Sequence, residues 1–211
     1  MEISWVSHAC FKIKTESGKV IYLDPYEIPA DEEKADVIVA SHGHYDHMDG
    51  GSIKNVWKDS TVLLGPKSMA GKLKGLKGEG MELGNTRTID DVTVELVPAY
   101  TIKKGTHPKS SEWAGTIIEA ENKRIYHAGD TERIPEMKDL SDKDITVALL
   151  PCGGTYTMDF EESCAAALDI QPEIVVPMHN WDKDLEGYKN LLQEKDPNIR
   201  VEILKKRNLK V

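Results

Sequence analysis

The sequence predicts an α/β domain in which two β-sheets face each other and helices cover their outer sides. Short runs rich in Val, Ile, Leu and Tyr alternate with Gly, Asp and Asn turns in the first half, and the same order restarts in the second half. Each half opens with strands and continues with strand–helix units. Because no linker or change of composition divides the halves, we expect residues 1–211 to form one domain.

In the first half, β-branched and aromatic residues between turn residues indicate five strands. They are predicted at residues 3–6, 11–14, 20–23, 37–40 and 61–64. A helix is predicted at residues 51–56, between the strands at residues 37–40 and 61–64. Pro66 suits the opening turn of a second helix, and the glycines around 75–80 are expected to end it.

The second half repeats this order. Strands are predicted at residues 92–97, 116–119, 124–127, 147–150, 174–177 and 201–204. A helix is expected to begin after Asp159, which can cap it, and Glu162 lies three residues further on as in a capping box. The amphipathic spacing of residues 185–194 predicts one more helix.

Charge and composition narrow the function classes. The formal net charge of −9 at pH 7 argues against general binding to nucleic acids or anionic membranes. No apolar run reaches the length of a membrane span and the N-terminus does not read as a secretion signal, so we expect a cytoplasmic protein. Cys10, Cys152 and Cys164 are an odd number without CxxC spacing, which fits a reducing compartment.

Four side chains that commonly bind metals lie in one short segment after the strand predicted at residues 37–40. They are His42, His44, Asp46 and His47, in an HxHxDH pattern. Residues two apart in an extended segment point to the same side, so His42 and His44 can reach one metal ion together. Asp46 and His47 follow the turn and can approach a second position beside it. These ligand types suit Zn²⁺, as one ion or two, and are also compatible with Mn²⁺, Fe²⁺ or Ni²⁺.

Further ligands must come from elsewhere in the chain. Asp130 follows the strand predicted at residues 124–127, within a Gly-Asp-Thr turn. His179 directly follows the apolar strand predicted at residues 174–177. Both positions are the C-terminal ends of strands, as is that of His42, so the three side chains can converge on one edge of the fold.

The HxHxDH element, the Gly-Asp-Thr turn and the final strand-end histidine resemble the metallo-β-lactamase superfamily. The resemblance covers nearly the whole chain and includes residues 5–11, 23–25, 97–100, 125–131, 150–157 and 177–179. Within the superfamily the chain is similar to a small group of predicted Zn-dependent hydrolases, which is itself similar to L-ascorbate-6-phosphate lactonase and, more distantly, to N-acyl-phosphatidylethanolamine phospholipase D. The resemblance implies a four-layer αββα sandwich with two mixed β-sheets and helices outside.

The resemblance also implies roles for individual residues. By position, His42 and His44 hold a first metal, whereas Asp46, His47 and His179 hold a second. Asp130 bridges the two ions. Asp24 matches an early strand-end aspartate that orients the metal-binding loops.

One position departs from the superfamily pattern. Many members have a histidine directly after the Pro-Ala-aromatic stretch, and here that residue is Thr101, a poor ligand. Either His107 enters from the following loop, or the first site is weak and one metal suffices. We favour His107 as a ligand, although a solvent-exposed loop histidine is an equally good interpretation of that residue.

The chemistry expected of such a site is hydrolysis by a metal-activated water, without a covalent enzyme intermediate. Asp46 or Asp130 is the candidate to accept the proton of that water. His127 and His8 lie at strand ends, where each can hydrogen-bond a ligand carboxylate or the substrate, and we take His127 with Asp46 as candidate catalytic residues. A core histidine satisfied by backbone groups is the alternative interpretation of both.

The substrate is expected to be a small anionic molecule, such as a sugar-phosphate lactone or a phosphodiester. This expectation rests on a positively charged loop between Lys103 and Lys109, which together with Arg124 and Arg133 could form a cationic rim. An ordinary solvated loop is the alternative. Two other functions compete: a non-catalytic metal-binding protein, which Thr101 would favour, and a nuclease, which the acidic charge disfavours.

Overall fold

The structure is a computed structural model that describes residues 1–205 and 208–211, and these residues form two seven-stranded β-sheets. In chain order the strands are β1 (Glu2–Ser7), β2 (Cys10–Lys14), β3 (Val20–Leu23), β4 (Val37–Val39), β5 (Val62–Pro66), β6 (Glu79–Met81), β7 (Thr86–Ile89), β8 (Val92–Pro98), β9 (Ala114–Ala120), β10 (Lys123–His127), β11 (Val147–Pro151), β12 (Ile174–Met178), β13 (Arg200–Val201) and β14 (Asn208–Lys210). The helices are α1 (Gly50–Val56), α2 (Ala70–Gly75), α3 (Phe160–Ile170) and α4 (Leu185–Lys195). Short 3₁₀ segments occupy Lys67–Met69, Lys109–Ser111 and Pro135–Lys143.

Each sheet has an antiparallel half and a parallel half. The first has the order β14-β1-β2-β3-β4-β5-β6, and the second has the order β13-β12-β11-β10-β9-β8-β7. Strands β3 to β6 pair in parallel, as do β10 to β13, whereas the remaining pairs are antiparallel. Parallel neighbours require crossover connections. Helices α1 and α2 cross between strands of the first sheet, and α3 and α4 cross between strands of the second.

The buried side chains form three clusters that define four layers. The central cluster lies between the sheets and includes Phe11 and Ile21 of the first sheet with Val94 and Val176 of the second. A second cluster lies between the outer face of the second sheet and helices α3 and α4. The third lies between the outer face of the first sheet and helices α1 and α2. The αββα arrangement of two mixed sheets with helices outside, predicted from the sequence, is confirmed.

Several element boundaries differ from the prediction. The strand predicted at residues 201–204 ends at Val201, and a separate strand, β14, pairs with β1. Pro66 is the last residue of β5, and a 3₁₀ turn separates it from α2. Strands β6, β7 and β14 were not predicted because they are short edge strands made mostly of polar residues.

The caps of the two long helices follow the sequence in part. Asp159 accepts a hydrogen bond from the N–H of Glu162 at 2.9 Å, as predicted for the start of α3. The reciprocal half of the expected capping box is absent from the described contacts, because Glu162 accepts from the N–H of Arg133 at 3.1 Å. Asp184 caps α4 in the same way as Asp159 caps α3, by accepting from the N–H of Glu186.

None of the described helices has the length and apolarity needed to span a membrane.

Candidate metal centre

The predicted ligands converge at one edge of the sandwich, where the parallel strands of both sheets have their C-terminal ends. This edge is where open α/β sheets usually bind ligands, because the connections after adjacent parallel strands meet there. The first sheet contributes His8 from the β1–β2 turn, Asp24 after β3, and His42, His44, Asp46 and His47 after β4. The second sheet contributes His107 from the loop after β8, Asp130 after β10 and His179 after β12.

A first cluster contains His42, His44 and His107, each offering one ligand atom within 4.8 Å of the others. The Nε2 atom of His42 lies 3.0 Å from Nδ1 of His44. His42 and His107 are buried, whereas His44 is exposed. The ring of Trp113 lies against all three imidazoles, with centroid distances of 4.9, 5.0 and 5.5 Å. The cluster is therefore open to solvent on the His44 side and shielded by an indole.

Thr101 explains how His107 enters this cluster. The N–H of Thr101 donates to the carbonyl oxygen of His107 at 2.7 Å, and the N–H of His107 donates to Oγ1 of Thr101 at 3.1 Å. This pair of hydrogen bonds closes the loop between the two residues and directs the buried His107 ring toward His42. Of the two interpretations left open by the sequence, the geometry agrees with the one in which His107 enters from the loop.

A second cluster contains His8, Asp46, His47 and His179, whose ligand atoms also lie within 4.8 Å of one another. Nε2 of His8 lies 3.5 Å from Oδ2 of Asp46, and the rings of His8 and His179 have centroids 3.9 Å apart. The sequence indicated only a supporting hydrogen bond for His8. Its membership of the cluster depends on the tight β1–β2 turn, in which His8 adopts a left-handed backbone with φ of 42°.

Asp130 lies between the two clusters. Its Oδ2 atom is 3.2 Å from Nε2 of His107 in the first cluster and 3.3 Å from Nε2 of His179 in the second. Its Oδ1 atom is 3.3 Å from Nε2 of His47. One buried carboxylate thus contacts imidazoles from both clusters, which is the placement a bridging ligand needs.

Asp24 is buried behind the clusters and sets the proton positions of two histidines. It accepts hydrogen bonds from Nδ1 of His47 at 2.6 Å and from the N–H and the hydroxyl of Ser41, each at 2.7 Å. Because the Ser41 hydroxyl donates to Asp24, its contact of 2.9 Å with Nδ1 of His42 must be accepted from that ring. In their neutral forms, His42 and His47 therefore carry the proton on Nδ1 and direct the Nε2 lone pair toward the clusters.

The donor set fits a divalent cation. Nε2 of His47, Nε2 of His107 and Oδ1 of Asp130 are buried without a hydrogen-bond partner among the described residues, and so are Nε2 of His8 and Nδ1 of His179. Buried polar atoms without partners are rare and costly, so these atoms need another ligand. Burial lowers the pKa of His47, but the carboxylates of Asp130 and Asp24 outweigh it and raise the pKa to about 9. The field at this position thus favours a positive charge.

His127, predicted as a catalytic residue, has a structural role instead. Its ring is buried, Nε2 donates to the carbonyl oxygen of Ala9 at 2.8 Å, and Nδ1 accepts from the N–H of Gly129 at 3.1 Å. Both nitrogens are satisfied by backbone, so neither can reach a metal or a substrate. Of the two sequence interpretations, the core histidine is the one observed. The ring links the β1–β2 turn to the turn that carries Asp130.

Sequence reasoning did not identify the function of Gly153. A Cβ atom at this position would lie 2.4 Å from the carbonyl oxygen of His179 and 2.5 Å from Cδ1 of Trp181. The Pro-Cys-Gly-Gly segment after β11 therefore lets the loop after β12 approach closely. In that loop, His179, Trp181 and Asp182 have positive φ angles of 49°, 50° and 57°. Such strained backbone at a ligand site is typical of functional loops.

The predicted cationic rim is largely neutralised by neighbouring carboxylates. Lys104 lies 3.7 Å from Glu132, and Lys109 donates to Glu136 at 2.9 Å. In the same way Arg124 pairs with Glu119, and Arg133 pairs with Asp169. The sequence basis for an anionic substrate therefore does not hold at these residues. Lys72 lies beside the first cluster, where its Nζ donates to the carbonyl oxygen of Gly43 at 2.8 Å.

Comparison with known proteins places the chain in a family. A family model described as a beta-lactamase superfamily domain matches residues 2–179. A UPF0173 metal-dependent hydrolase from Enterococcus faecalis is 34% identical over 193 residues, which cover 85% of this chain and 86% of that protein. The chain belongs to the metallo-β-lactamase superfamily. The superfamily resemblance predicted from the motifs is thereby confirmed.

Solved structures agree with membership of the superfamily. A candidate metal-dependent hydrolase from Parabacteroides distasonis has a TM-score of 0.87 at 34% identity, with 96% of this chain and 91% of that chain covered. Igni18, described as a novel metallo hydrolase from Ignicoccus hospitalis, has a TM-score of 0.82 at 26% identity, with 100% of this chain and 98% of that chain covered. Both share the two-sheet fold across nearly their whole length.

Proposed function

We propose that this protein is a metal-dependent hydrolase that cleaves a carboxylic ester, such as a lactone, or a phosphodiester in a small substrate. The observation that carries the proposal is the position of Asp130, which contacts His107 of the first cluster and both His47 and His179 of the second. A divalent cation in such clusters supplies Lewis-acid chemistry, because it polarises a carbonyl or phosphoryl oxygen and makes water nucleophilic near neutral pH.

The proposed ligand set follows the two clusters. His42, His44 and His107 would hold one ion, and His47, Asp46 and His179 would hold the other, with Asp130 between them. His8 joins the second set. The imidazole and carboxylate donors favour zinc, and they also accommodate Mn²⁺, Fe²⁺ or Ni²⁺.

Solvent accessibility favours Asp46 over Asp130 as the proton acceptor. The side chain of Asp46 is 21% exposed, whereas that of Asp130 is 4% exposed and contacts three imidazoles. Water beside a bound substrate can therefore reach Asp46, and we assign it the role of accepting the proton. His8 contacts Asp46 and holds its carboxylate toward the cluster.

The competing functions are less well supported. Thr101 would favour a non-catalytic metal-binding protein, but it hydrogen-bonds His107 and so helps to complete the first cluster. The net charge of −9 disfavours a nuclease. The three buried cysteines, none of them disulfide-bonded, support a location in a reducing compartment such as the cytoplasm.

The proposal is tested by turnover with protein reconstituted with zinc and, separately, with Mn²⁺, Fe²⁺ or Ni²⁺. We expect hydrolysis of members of a lactone panel or a phosphodiester panel. In Asp130→Asn the hydrolysis rate should fall by at least about a hundredfold, because the carboxylate between the two clusters becomes a neutral amide. Asp31→Asn, an exposed carboxylate outside the site, is the control. Stoichiometric metal with no turnover of either panel would contradict the proposal.

The role of His107 has a separate test in metal analysis of His107→Ala. We expect this variant to lose one ion per chain, because the first cluster would keep only His42 and His44. Lys103→Ala, exposed on the same loop, should retain the full metal content. An unchanged metal content in His107→Ala would show that the residue is not a ligand.

A further inference from the structure

A cavity of about 430 Å³ lies beside the second cluster, and His8 forms part of its wall. The indoles of Trp5 and Trp181 and the ring of Tyr26 also line it. The inner wall is apolar and includes Met178 at the end of β12. Because His8 belongs to both the cavity wall and the cluster, a molecule in the cavity can place one of its bonds at the cluster edge.

Two of the exposed aromatic rings, Trp5 and Trp181, line this cavity, and others lie near it. Among the described residues, the exposed large hydrophobic side chains are Trp5, Tyr45, Ile102, Tyr156 and Trp181. Tyr156 lies 6.2 Å from Trp181, and Tyr45 lies 5.9 Å from Tyr26, measured between ring centroids. An exposed apolar patch of this kind on a protein surface usually marks a binding site.

Trp181 is held in place although 49% of it is exposed. Its ring makes edge contacts with His8 at 5.4 Å and with His179 at 5.2 Å between centroids. On its other side the indole lies directly over Gly153, where a Cβ atom would be 2.5 Å from Cδ1. An exposed ring that is fixed between a cluster histidine and a glycine is preorganised to bind, because little side-chain entropy remains to be lost.

Trp5 is also fixed, by a hydrogen bond. Its Nε1–H donates to the carbonyl oxygen of His8 at 3.0 Å, so the indole and the His8 turn form one unit. Tyr26 is tied to the same strand, because the Ser7 hydroxyl donates to its carbonyl oxygen at 2.7 Å. The cavity therefore has rigid aromatic walls on the side of the first sheet and on the side of the loop after β12.

The charges around the cavity do not favour an anion. Among the described residues that line it, Glu27 and Asp182 are acidic and Lys205 is basic. The described acidic side chains thus outnumber the described basic one at the cavity wall, in contrast to a phosphate or carboxylate pocket. The group bound in the cavity must be chosen by its shape and its polarizable faces rather than by its charge.

We propose that this cavity binds an uncharged aryl group of the substrate, which stacks against Trp181 and Trp5 and presents the adjacent ester or phosphodiester bond to the cluster. The inference rests on the proposed function for the cleaved bond, but binding of the aryl group itself does not require catalysis. Planar aromatic rings are preferred over saturated rings of equal size because ring pairs gain energy beyond the area they bury.

The binding test uses benzyl alcohol and its saturated counterpart cyclohexylmethanol, with zinc-loaded and with metal-free protein. The chain has four tryptophans, so a ¹⁵N spectrum resolves four indole N–H signals, which Trp→Phe variants assign. We expect benzyl alcohol to shift the Trp5 and Trp181 signals and to bind about three- to tenfold more tightly than cyclohexylmethanol. The Trp57 and Trp113 signals, from residues that do not line the cavity, should not shift.

Variants separate stacking from simple apolar contact. Trp181→Leu should reduce benzyl alcohol binding about three- to tenfold and abolish the preference for the aromatic ring, whereas Trp181→Phe should keep it. Tyr45→Leu is the matched control, because this ring is exposed at the same edge but does not line the cavity. Trp5→Leu tests the opposite wall independently, and far-ultraviolet circular dichroism checks that each variant is folded.

The catalytic arm compares γ-phenyl with γ-cyclohexyl-γ-butyrolactone, and benzyl methyl phosphate with cyclohexylmethyl methyl phosphate. We expect a lower KM for the aryl member of each hydrolysed pair, and Trp181→Leu should remove that difference with little change in kcat. Turnover without any aryl preference, or equal binding of the two alcohols, would overturn the aryl pocket and leave the hydrolase proposal standing. Aryl binding at Trp5 and Trp181 without turnover would support the aryl pocket and contradict the hydrolase proposal.

Discussion

At the scale of single residues, the buried Asp24 determines how histidines of both clusters are oriented. It accepts directly from His47, and through the Ser41 hydroxyl it fixes the proton of His42. One buried carboxylate thereby orients a histidine in each cluster. Burial raises the pKa of Asp24, but the charges of the surrounding histidines lower it by more, so the carboxylate is ionised.

We therefore predict that Asp24→Asn weakens metal binding at both clusters. The amide keeps one acceptor oxygen but places an NH₂ group against donors from Ser41 or His47, so the two imidazoles lose their fixed orientation. Metal affinity, measured by competition with a chromogenic chelator, should fall about 10- to 100-fold. Asp31→Asn, exposed in a loop, should bind metal as the wild type does. Wild-type affinity in Asp24→Asn would show that these hydrogen bonds do not support the ligands.

The candidate site could be predicted from the sequence wherever a ligand type follows a strand directly. His42, Asp130 and His179 belong to this class, and all are brought to one edge. The sequence favoured His107 but left an alternative open, because its placement depends on a hydrogen-bonded pair with Thr101 across a loop. For the same reason the sequence left two interpretations of His127 open. The ring of His127 contacts the backbone of Ala9, which is distant in the sequence, and the backbone of Gly129, and the residue pattern indicates neither contact.

At the scale of elements, Asp36 joins the starts of three strands. Its backbone N–H donates to the carbonyl oxygen of Val20 at 2.8 Å, and its carbonyl oxygen accepts from the N–H of Val62 at 2.9 Å. Its carboxylate accepts from the N–H of Val20 at 2.9 Å and from Nζ of Lys58 at 2.7 Å. Burial raises the pKa of Asp36, but these hydrogen bonds outweigh it, and the pKa lies below its ordinary value.

A depressed carboxyl pKa stabilises the fold only while the group is ionised. The contribution is complete above the unfolded-state pKa of about 3.9 and is lost as pH falls through the lower folded-state value. We expect Asp36→Asn to lower the free energy of unfolding by about 1 kcal/mol near neutral pH, since Lys58 is partly solvated and the pair is screened. The difference from the wild type should shrink below about pH 4. Urea unfolding of the metal-free proteins measures this.

Asp59→Asn is the matched control for Asp36, because Asp59 is exposed beside Lys58, the partner of Asp36, in the connection between α1 and β5. Its unfolding free energy should follow that of the wild type at every pH. A constant difference between Asp36→Asn and the wild type down to low pH would instead mean that the amide disturbs packing, and that ionisation of Asp36 does not contribute.

The elements that the sequence predicted well are those whose burial requires a recognisable pattern of apolar residues. Strands β3, β4, β11 and β12 are buried along their whole length and read as continuous apolar runs. The edge strands β6, β7 and β14 carry no such run, because most of their side chains are exposed. The end of β13 was also misplaced: the strand ends at Val201, whereas Ile203 and Leu204 continue the apolar run and contact the apolar cores.

At the scale of the whole molecule, the site joins the two sheets. The first cluster combines His42 and His44 of the first sheet with His107 of the second. The second cluster combines residues of the first sheet with His179 of the second. A bound cation would therefore act as a cross-link at the edge of the sandwich, in addition to the central apolar core. Its binding energy becomes folding energy, because the unfolded chain does not hold these ligands together.

Metal removal is therefore expected to destabilise the entire fold, not only the site. At a free metal concentration a hundredfold above Kd, binding contributes about 2.7 kcal/mol, which for a chain of this size raises Tm by about 5 to 10 °C relative to chelator-treated protein. The shift should grow with the logarithm of metal concentration. In His179→Ala the shift should be smaller, because the second cluster loses its histidine from the second sheet, whereas Lys103→Ala should behave as the wild type. Identical melting curves for loaded and chelated wild-type protein would mean that no cation links the sheets.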